Sequence, residues 1–96
     1  MNGLQFEWDS AKAARNLRKH GVSFEEARTV FGDPNVLIKP DTLHSGIEDR
    51  AHVIGMSSFA RLLFVVAVER YENTIRIISA RKPTRREAEN YAEAQR

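Results

Sequence analysis

The chain of 96 residues contains no cysteine, which excludes disulfide bonds, a thiol nucleophile and a thiolate zinc site. It also has no apolar run of membrane-spanning length, because the longest run, residues 62–68, is short and typical of a strand. The first residues lack the basic and apolar segments of a secretory signal. We therefore expect a cytoplasmic protein that does not associate with a membrane.

Arginine is the abundant ionisable residue. The chain has 15 Lys and Arg against 13 Asp and Glu, which gives a net charge of +2, and 11 of the cations are arginines. A guanidinium stays charged in any environment and binds phosphate oxygens in pairs, so this balance indicates an anionic partner. With 42% hydrophobic and 29% charged residues, the chain is predicted to form a single domain over residues 1–96.

Residues 9–31 have the apolar spacing of two helices joined by a glycine corner. The first helix is predicted to begin at Asp9 or Ser10 and to run to His20, where Gly21 ends it. Its apolar side has three members: Ala11, Ala14 and Leu17. The second helix, over residues 23–31, opens with a capping box formed by two residues: Ser23 and Glu26.

The remaining chain has the period of strands. Strands are predicted at residues 36–39, 50–58, 62–71 and 74–81, with a weak edge strand at 4–8 and a last helix over 84–95. The fold class is α+β: two N-terminal helices, a small antiparallel sheet of three to four strands and a C-terminal helix. Strand 62–71 is apolar on both faces, and three helices are too few to cover both. Some apolar sheet surface is therefore left for a partner protein.

The segment that joins the last strand to the last helix carries four positive charges: Arg81, Lys82, Arg85 and Arg86. Charge runs are usually solvated surface, yet a guanidinium at the end of a strand is fixed in aim. Ser79 and Arg81 share one face of this strand. Arg81 either stabilises the charge that develops on phosphate oxygens during RNA cleavage or pairs with a glutamate on a neighbouring strand.

Candidates for proton transfer are histidines and a carboxylate. His20 ends the first helix, where the helix dipole favours an imidazolium, and it serves either as a general acid or base or as a cap. Glu48 and Arg50 lie two residues apart, so they either pair or act together on a phosphate. His52 lies on the same face as Arg50. The spacing of these groups does not match a metal site, and no cofactor is expected.

Two aromatic residues have an alternative to the core. Trp8 could stack on a base of single-stranded nucleic acid, although core packing is favoured. Tyr91 is expected in the core, with its hydroxyl in reach of the arginine cluster.

Three ordered blocks of the sequence resemble the signatures of the BrnT family. The first block contains Phe6–Asp9, Lys12, Ala13, Asn16, Lys19–Ala27, Val30 and Phe31. The second contains His44 and Glu48–Arg50, and the third contains Ile75–Lys82, Thr84, Glu87 and Tyr91. The departures are Pro83, where the family tends to have alanine, and His52, where an aromatic residue is common.

The resemblance implies a RelE-like ribonuclease toxin of a type II toxin–antitoxin pair, which arrests growth. It also implies a cognate antitoxin of the ribbon-helix-helix type, through which the complex reaches operator DNA. On this hypothesis Arg50 and Arg81 stabilise the phosphate, and His20 or Glu48 transfers the proton without a metal. Six residues would bind or steer RNA: Lys12, Lys19, Arg61, Ser79, Lys82 and Arg85. The alternative is a non-catalytic module whose arginines only neutralise phosphates or contact a protein partner.

Overall fold

The computed structural model describes residues 3–43 and 49–96. Its elements follow in this order: β1 (Gln5–Glu7), α1 (Ser10–His20), α2 (Phe24–Arg28), a 3₁₀ turn (Thr29–Gly32), β2 (Leu37–Pro40), β3 (Asp49–Met56), β4 (Leu62–Tyr71), β5 (Thr74–Arg81) and α3 (Arg85–Glu93). The strands form one sheet in the order β1-β5-β4-β3-β2. None of the helices within the described ranges has the length and apolar character needed to cross a bilayer.

The sheet has five strands, which corrects the prediction of three to four antiparallel strands. Strands β2 to β5 form the expected antiparallel meander, and β4 and β5 have the predicted ends. The weak edge strand is real, but β1 pairs in parallel with β5, with Gln5 opposite Thr74. Two parallel strands must be joined by a long crossover, and the crossover from β1 to β5 contains most of the chain. A local sequence pattern therefore cannot predict this pairing.

The first helix begins and ends as predicted, but the side that packs against the rest of the protein is not the predicted apolar side. Asp9 caps it by accepting from the Lys12 N–H, and Gly21 ends it with a φ of 70°. The predicted apolar side is exposed, and Leu17 retains 50% of its accessible surface. The buried residue of α1 is Asn16, because its amide group bonds the edge of β5 at Ala80.

The second helix is shorter than predicted, because α2 ends at Arg28 and the 3₁₀ turn completes the segment. Ser23 caps the Glu26 N–H as expected. The Glu26 carboxylate does not return to the cap, since it accepts from Ser57 and Arg61 instead. The Glu26 carboxylate thus pairs with the charged side chain of Arg61, and not with the Ser23 backbone N–H as a capping box requires. In α3 the capping box between Thr84 and Glu87 is complete, so Pro83 leaves the joint intact.

The core lies on both faces of the sheet. On the first face, α2 and the 3₁₀ turn pack against strand residues that include Leu63, Val65 and Ile77. Trp8 lies edge-on to Phe24 at 6.0 Å, which confirms core packing for this tryptophan. On the second face, which we call the α3 face, the buried cluster comprises Ile54, Phe64 and Tyr91.

Candidate functional site

A row of cationic and aromatic side chains crosses the α3 face. In the antiparallel register Phe64 of β4 lies opposite Arg81 of β5. The Arg81 guanidinium carbon is 4.1 Å from the centre of the Phe64 ring. On the β3 side, the His52 ring lies 5.0 Å from the same ring, tilted by 54°. The cross-strand register therefore places two polar, partly exposed groups around one buried aromatic ring.

Arg81 is held by Glu87 at the start of α3. Its Nη1 and Nη2 donate to the two carboxylate oxygens at 2.9 and 3.0 Å, and Nη1 also donates to the Lys82 carbonyl at 3.0 Å. The Arg81 hydrogen bonds hold the pKa of the Glu87 carboxyl below its usual range despite partial burial. Of the two alternatives for Arg81, the described residues thus show pairing, with a helix glutamate in place of one on a neighbouring strand.

His52 is oriented by a buried aspartate that the sequence did not single out. The His52 Nε2 lies 3.1 Å from Asp41 Oδ2, and only 5% of the Asp41 side chain is exposed. Arg50 precedes His52 by two positions on β3, and its Nε is buried without a hydrogen-bond partner among the described residues. Glu48, the predicted partner of Arg50, lies outside the described residues, as does His44.

A basic concavity lies between α1 and β5. It has a volume of about 340 Å³, and its lining comprises Lys12, Arg15, Asn16, Lys19, His20, Ile78 and Ser79. Four residues selected from the sequence meet here: Lys12, Lys19, His20 and Ser79. They come together because the Asn16 side chain joins α1 to the edge of β5 at Ala80. We call this group of residues the basic concavity below.

Three other predicted RNA-binding residues lie apart from the concavity lining. Arg61 donates to both oxygens of the buried Glu26 carboxylate, at 2.7 and 2.8 Å, so its guanidinium supports the fold. Lys82 and Arg85 are exposed where β5 passes into α3. Arg85 also forms a solvent-exposed pair with Glu89 one turn later.

The sequence did not identify several residues of the basic concavity and of the row on the α3 face. Arg15 was recognised only as an outward-facing charge, although its spacing from Lys12 and Lys19 places all three near one side of a helix. Asp41 and Phe64 had no local signal, because their roles depend on cross-strand neighbours. Tyr91 is buried as expected, but its hydroxyl donates to Asp33 at 2.5 Å and does not reach the arginines.

Metal ligands do not cluster in residues 3–43 and 49–96, where no group of three or more His, Cys, Asp or Glu residues could hold an ion. The polar groups that the row on the α3 face and the basic concavity present are guanidinium, ammonium, imidazole and hydroxyl groups.

Comparisons with known proteins agree with the architecture. Residues 8–87 match the model of a family described as the ribonuclease toxin, BrnT, of type II toxin–antitoxin systems. A crystal structure of the Brucella abortus ribonuclease toxin, BrnT, is similar with a TM-score of 0.66, 20% identity and coverage of 85% of this chain and 99% of that chain. At that identity the likeness shows a shared fold. No curated protein matches the sequence.

Proposed function

Because the chain belongs to the BrnT family of ribonuclease toxins of type II toxin–antitoxin systems, we propose that it is a metal-independent endoribonuclease. It would cut RNA in the cytoplasm and arrest growth until its antitoxin binds. The observation that carries this proposal is the basic concavity, where an imidazole lies among three cations and a hydroxyl group. An imidazole can transfer protons and the cations can stabilise developing negative charge during cleavage of a phosphodiester.

The residues of the concavity can divide the reaction between them. Neutral His20 accepts the proton of a ribose 2′-hydroxyl as the 2′-oxygen attacks the adjacent phosphorus. Lys12, Arg15 and Lys19 stabilise the negative charge that builds on the non-bridging oxygens. The bond to the 5′-oxygen breaks, and the imidazolium returns the proton to that leaving group. The products are a 2′,3′-cyclic phosphate and a free 5′-hydroxyl.

Two further groups remain candidates for proton transfer. The pair of His52 and Asp41 is oriented as an acid–base pair, since the buried carboxylate fixes one ring nitrogen. Glu48, two residues before Arg50 in the sequence, is the other candidate. Both positions belong in the same set of variants as His20.

Cleavage of single-stranded RNA by the purified protein in the presence of a chelator tests the proposal. His20→Ala is expected to lower the rate of cleavage by about 100-fold or more, because a general acid–base group contributes at least that factor. Lys19→Ala should weaken RNA binding and reduce the slope of log affinity against log salt by about one. Arg18→Ala is the matched control, because Arg18 is exposed on the same helix but does not line the concavity.

Two outcomes would contradict this assignment. If His20→Ala retains full activity while His52→Ala or Glu48→Gln loses it, the reaction takes place elsewhere. If the folded wild-type protein binds RNA but no product forms, the non-catalytic alternative is correct. The slope of log affinity against log salt would then measure only the number of phosphates that the protein neutralises.

Membership of a type II system implies an antitoxin partner. We propose that this antitoxin is a ribbon-helix-helix protein that carries the DNA contacts to the operator. Its docking surface on this chain is proposed to be an apolar groove of about 600 Å³, lined by residues that include Leu4, Phe31, Ile38, Ala51 and Ile75. The groove continues the first core outward, and Ile38 is 54% exposed in it. The apolar pattern of the strand over residues 62–71, which predicted uncovered sheet surface, supports this proposal.

A further inference from the structure

We propose that the guanidinium plane of Arg81 is a stacking platform for an unpaired nucleobase of RNA, a subsite that rests on the ribonuclease function proposed above. The hypothesis from the sequence placed this arginine on the reacting phosphate. The contacts of Arg81 favour a different ligand chemistry.

The charge of Arg81 is already matched by a carboxylate. Glu87 accepts from both terminal nitrogens, and the Lys82 carbonyl accepts a third N–H. A phosphate approaching the same edge would have to displace Glu87 or approach a neutralised pair. Glu87 is itself fixed, since its carboxylate also accepts from the Thr84 N–H at 2.8 Å. The pair is therefore a poor phosphate clamp.

The ion pair with Glu87 holds the flat guanidinium plane of Arg81 in a fixed orientation. Phe64 lies under the guanidinium at 4.1 Å, and 34% of the Arg81 side chain is exposed. Because the Phe64 ring occupies one side of the guanidinium and Glu87 one edge, we infer that a base would approach the opposite face. Unpaired RNA bases stack on arginine planes, and a plane that is already immobilised loses little entropy when a base binds.

The position of Arg81 suits a base next to the cleaved phosphate. Ser79, which lines the basic concavity, precedes Arg81 by two residues on the same strand. Two residues of strand span roughly 7 Å, and both side chains project from the same side of β5. A strand of RNA with a phosphate in the concavity would thus bring an adjacent base toward Arg81.

The test compares the binding of non-cleavable 2′-O-methyl oligoribonucleotides with that of the same oligonucleotides carrying an abasic site at successive positions. For the wild-type protein, one abasic position should weaken binding about tenfold, as expected for a lost stacking contact. Arg81→Lys keeps the charge but removes the plane. This variant should bind the intact and abasic oligonucleotides equally, at the level that the wild type shows for the abasic one.

Two further variants separate stacking from charge. Glu87→Gln releases the Arg81 charge, so it should strengthen binding and steepen the salt dependence while base discrimination persists. Arg86→Lys is the control, because Arg86 is an exposed arginine of the same joint that is not among the predicted RNA-binding residues, and it should leave discrimination unchanged. Thermal unfolding of each variant checks that the fold is intact.

The inference is overturned if the wild type binds abasic and intact oligonucleotides equally. It is also overturned if Arg81→Lys discriminates as the wild type does, since the residue would then act as a charge. Because these oligonucleotides cannot be cut, the result does not depend on cleavage. If the wild-type protein discriminates between intact and abasic oligonucleotides but does not cleave RNA, the proposed enzyme mechanism is rejected and the proposed subsite is not.

Discussion

The ion pair between Glu26 and Arg61 shows how one tertiary contact determines the role of a residue. Arg61 was predicted to steer RNA, but it donates to a carboxylate that is only 3% exposed. These hydrogen bonds outweigh burial and hold the pKa of Glu26 below its usual range. Glu26 therefore adds stability that is present above its unfolded pKa and is lost as the pH falls through its lower folded pKa.

Arg61→Ala is expected to lower the free energy of unfolding by about 3 kcal/mol, because it leaves the Glu26 carboxylate buried without its charged partner. Urea denaturation at neutral pH measures this loss. In the double variant Arg61→Ala and Glu26→Gln the loss should be smaller than the sum of the two single losses. Additive losses would show that Glu26 and Arg61 are not coupled. Weakened RNA binding by a fully stable Arg61→Ala protein would restore the RNA-steering role.

At the scale of elements, α1 is attached to the sheet through an amide. Asn16 Nδ2 donates to the carbonyls of Val22 and Ala80, and its Oδ1 accepts from the Ala80 N–H. The contact satisfies the backbone of β5 at Ala80, beyond residues 74–76, which pair with β1. It also carries the cations of α1 to their place beside Ser79.

Asn16→Ala is expected to destabilise the protein by about 2–3 kcal/mol, because it leaves buried backbone groups without partners. Leu17→Ala should cost only about 0.5 kcal/mol, since Leu17 is half exposed. Denaturation gives both values, and hydrogen exchange should show lost protection at the Ala80 amide. A larger cost at Leu17 than at Asn16 would mean that α1 is attached by its apolar residues.

The attachment of α3 depends on Tyr91, whose hydroxyl bonds Asp33 across the α3 face. Burial and the nearby carboxylate raise the pKa of Tyr91 to about 12. The pKa of Asp33 lies below its usual range: burial opposes this, but hydrogen bonds from the Met56 N–H and from Tyr91 outweigh it. A tyrosine with a raised folded pKa contributes stability that is complete below its unfolded pKa of about 10 and is lost as the pH rises toward 12.

Tyr91→Phe should therefore be less stable than the wild type at neutral pH by about 1 kcal/mol, the net worth of one hydrogen bond. The difference should shrink as the pH rises above about 10, because only the wild type pays to keep this phenol neutral. Denaturation at a series of pH values measures the difference. A gap that stays constant up to pH about 11.5 would show that Tyr91 titrates normally.

At the scale of the whole molecule, the sheet separates two surfaces. The basic concavity lies along α1 and β5, and His52 and Arg81 lie on the α3 face, whereas the apolar groove continues the core of the other face. Of the candidate cations, Arg50 lines this groove and Arg61 pairs with Glu26 of α2. A substitution in the groove could therefore prevent a partner from binding without reducing cleavage of RNA by the free protein.

Ile38→Asp is expected to weaken binding of the antitoxin encoded by the adjacent reading frame by tenfold or more, because it places a charge in an apolar contact. Cleavage of RNA by the free variant should be unchanged. Phe59→Asp is the control, since Phe59 is 72% exposed but does not line the groove. Calorimetry of each variant with the antitoxin gives the affinities. Equal affinities for Ile38→Asp and the wild type would place the docking surface elsewhere.

The sequence by itself determined the elements whose signals are local. The ends of β4 and β5, the stop at Gly21 and the capping box of Thr84 depend on period, turn chemistry and side chains a few residues apart. The presence of His20 at the end of a basic helix was equally readable. Family membership followed from the same local blocks.

Only the tertiary structure decided which of these residues meet. The parallel pairing of β1 with β5, the burial of Asn16 and the row from His52 to Arg81 join positions that are distant in the chain. Their energies depend on cross-strand register and on desolvation, which no window of sequence contains. For the same reason Arg61 and Arg81, two arginines of equal charge, pair with different carboxylates: Arg61 with the buried Glu26 of α2, and Arg81 with Glu87 at the start of α3.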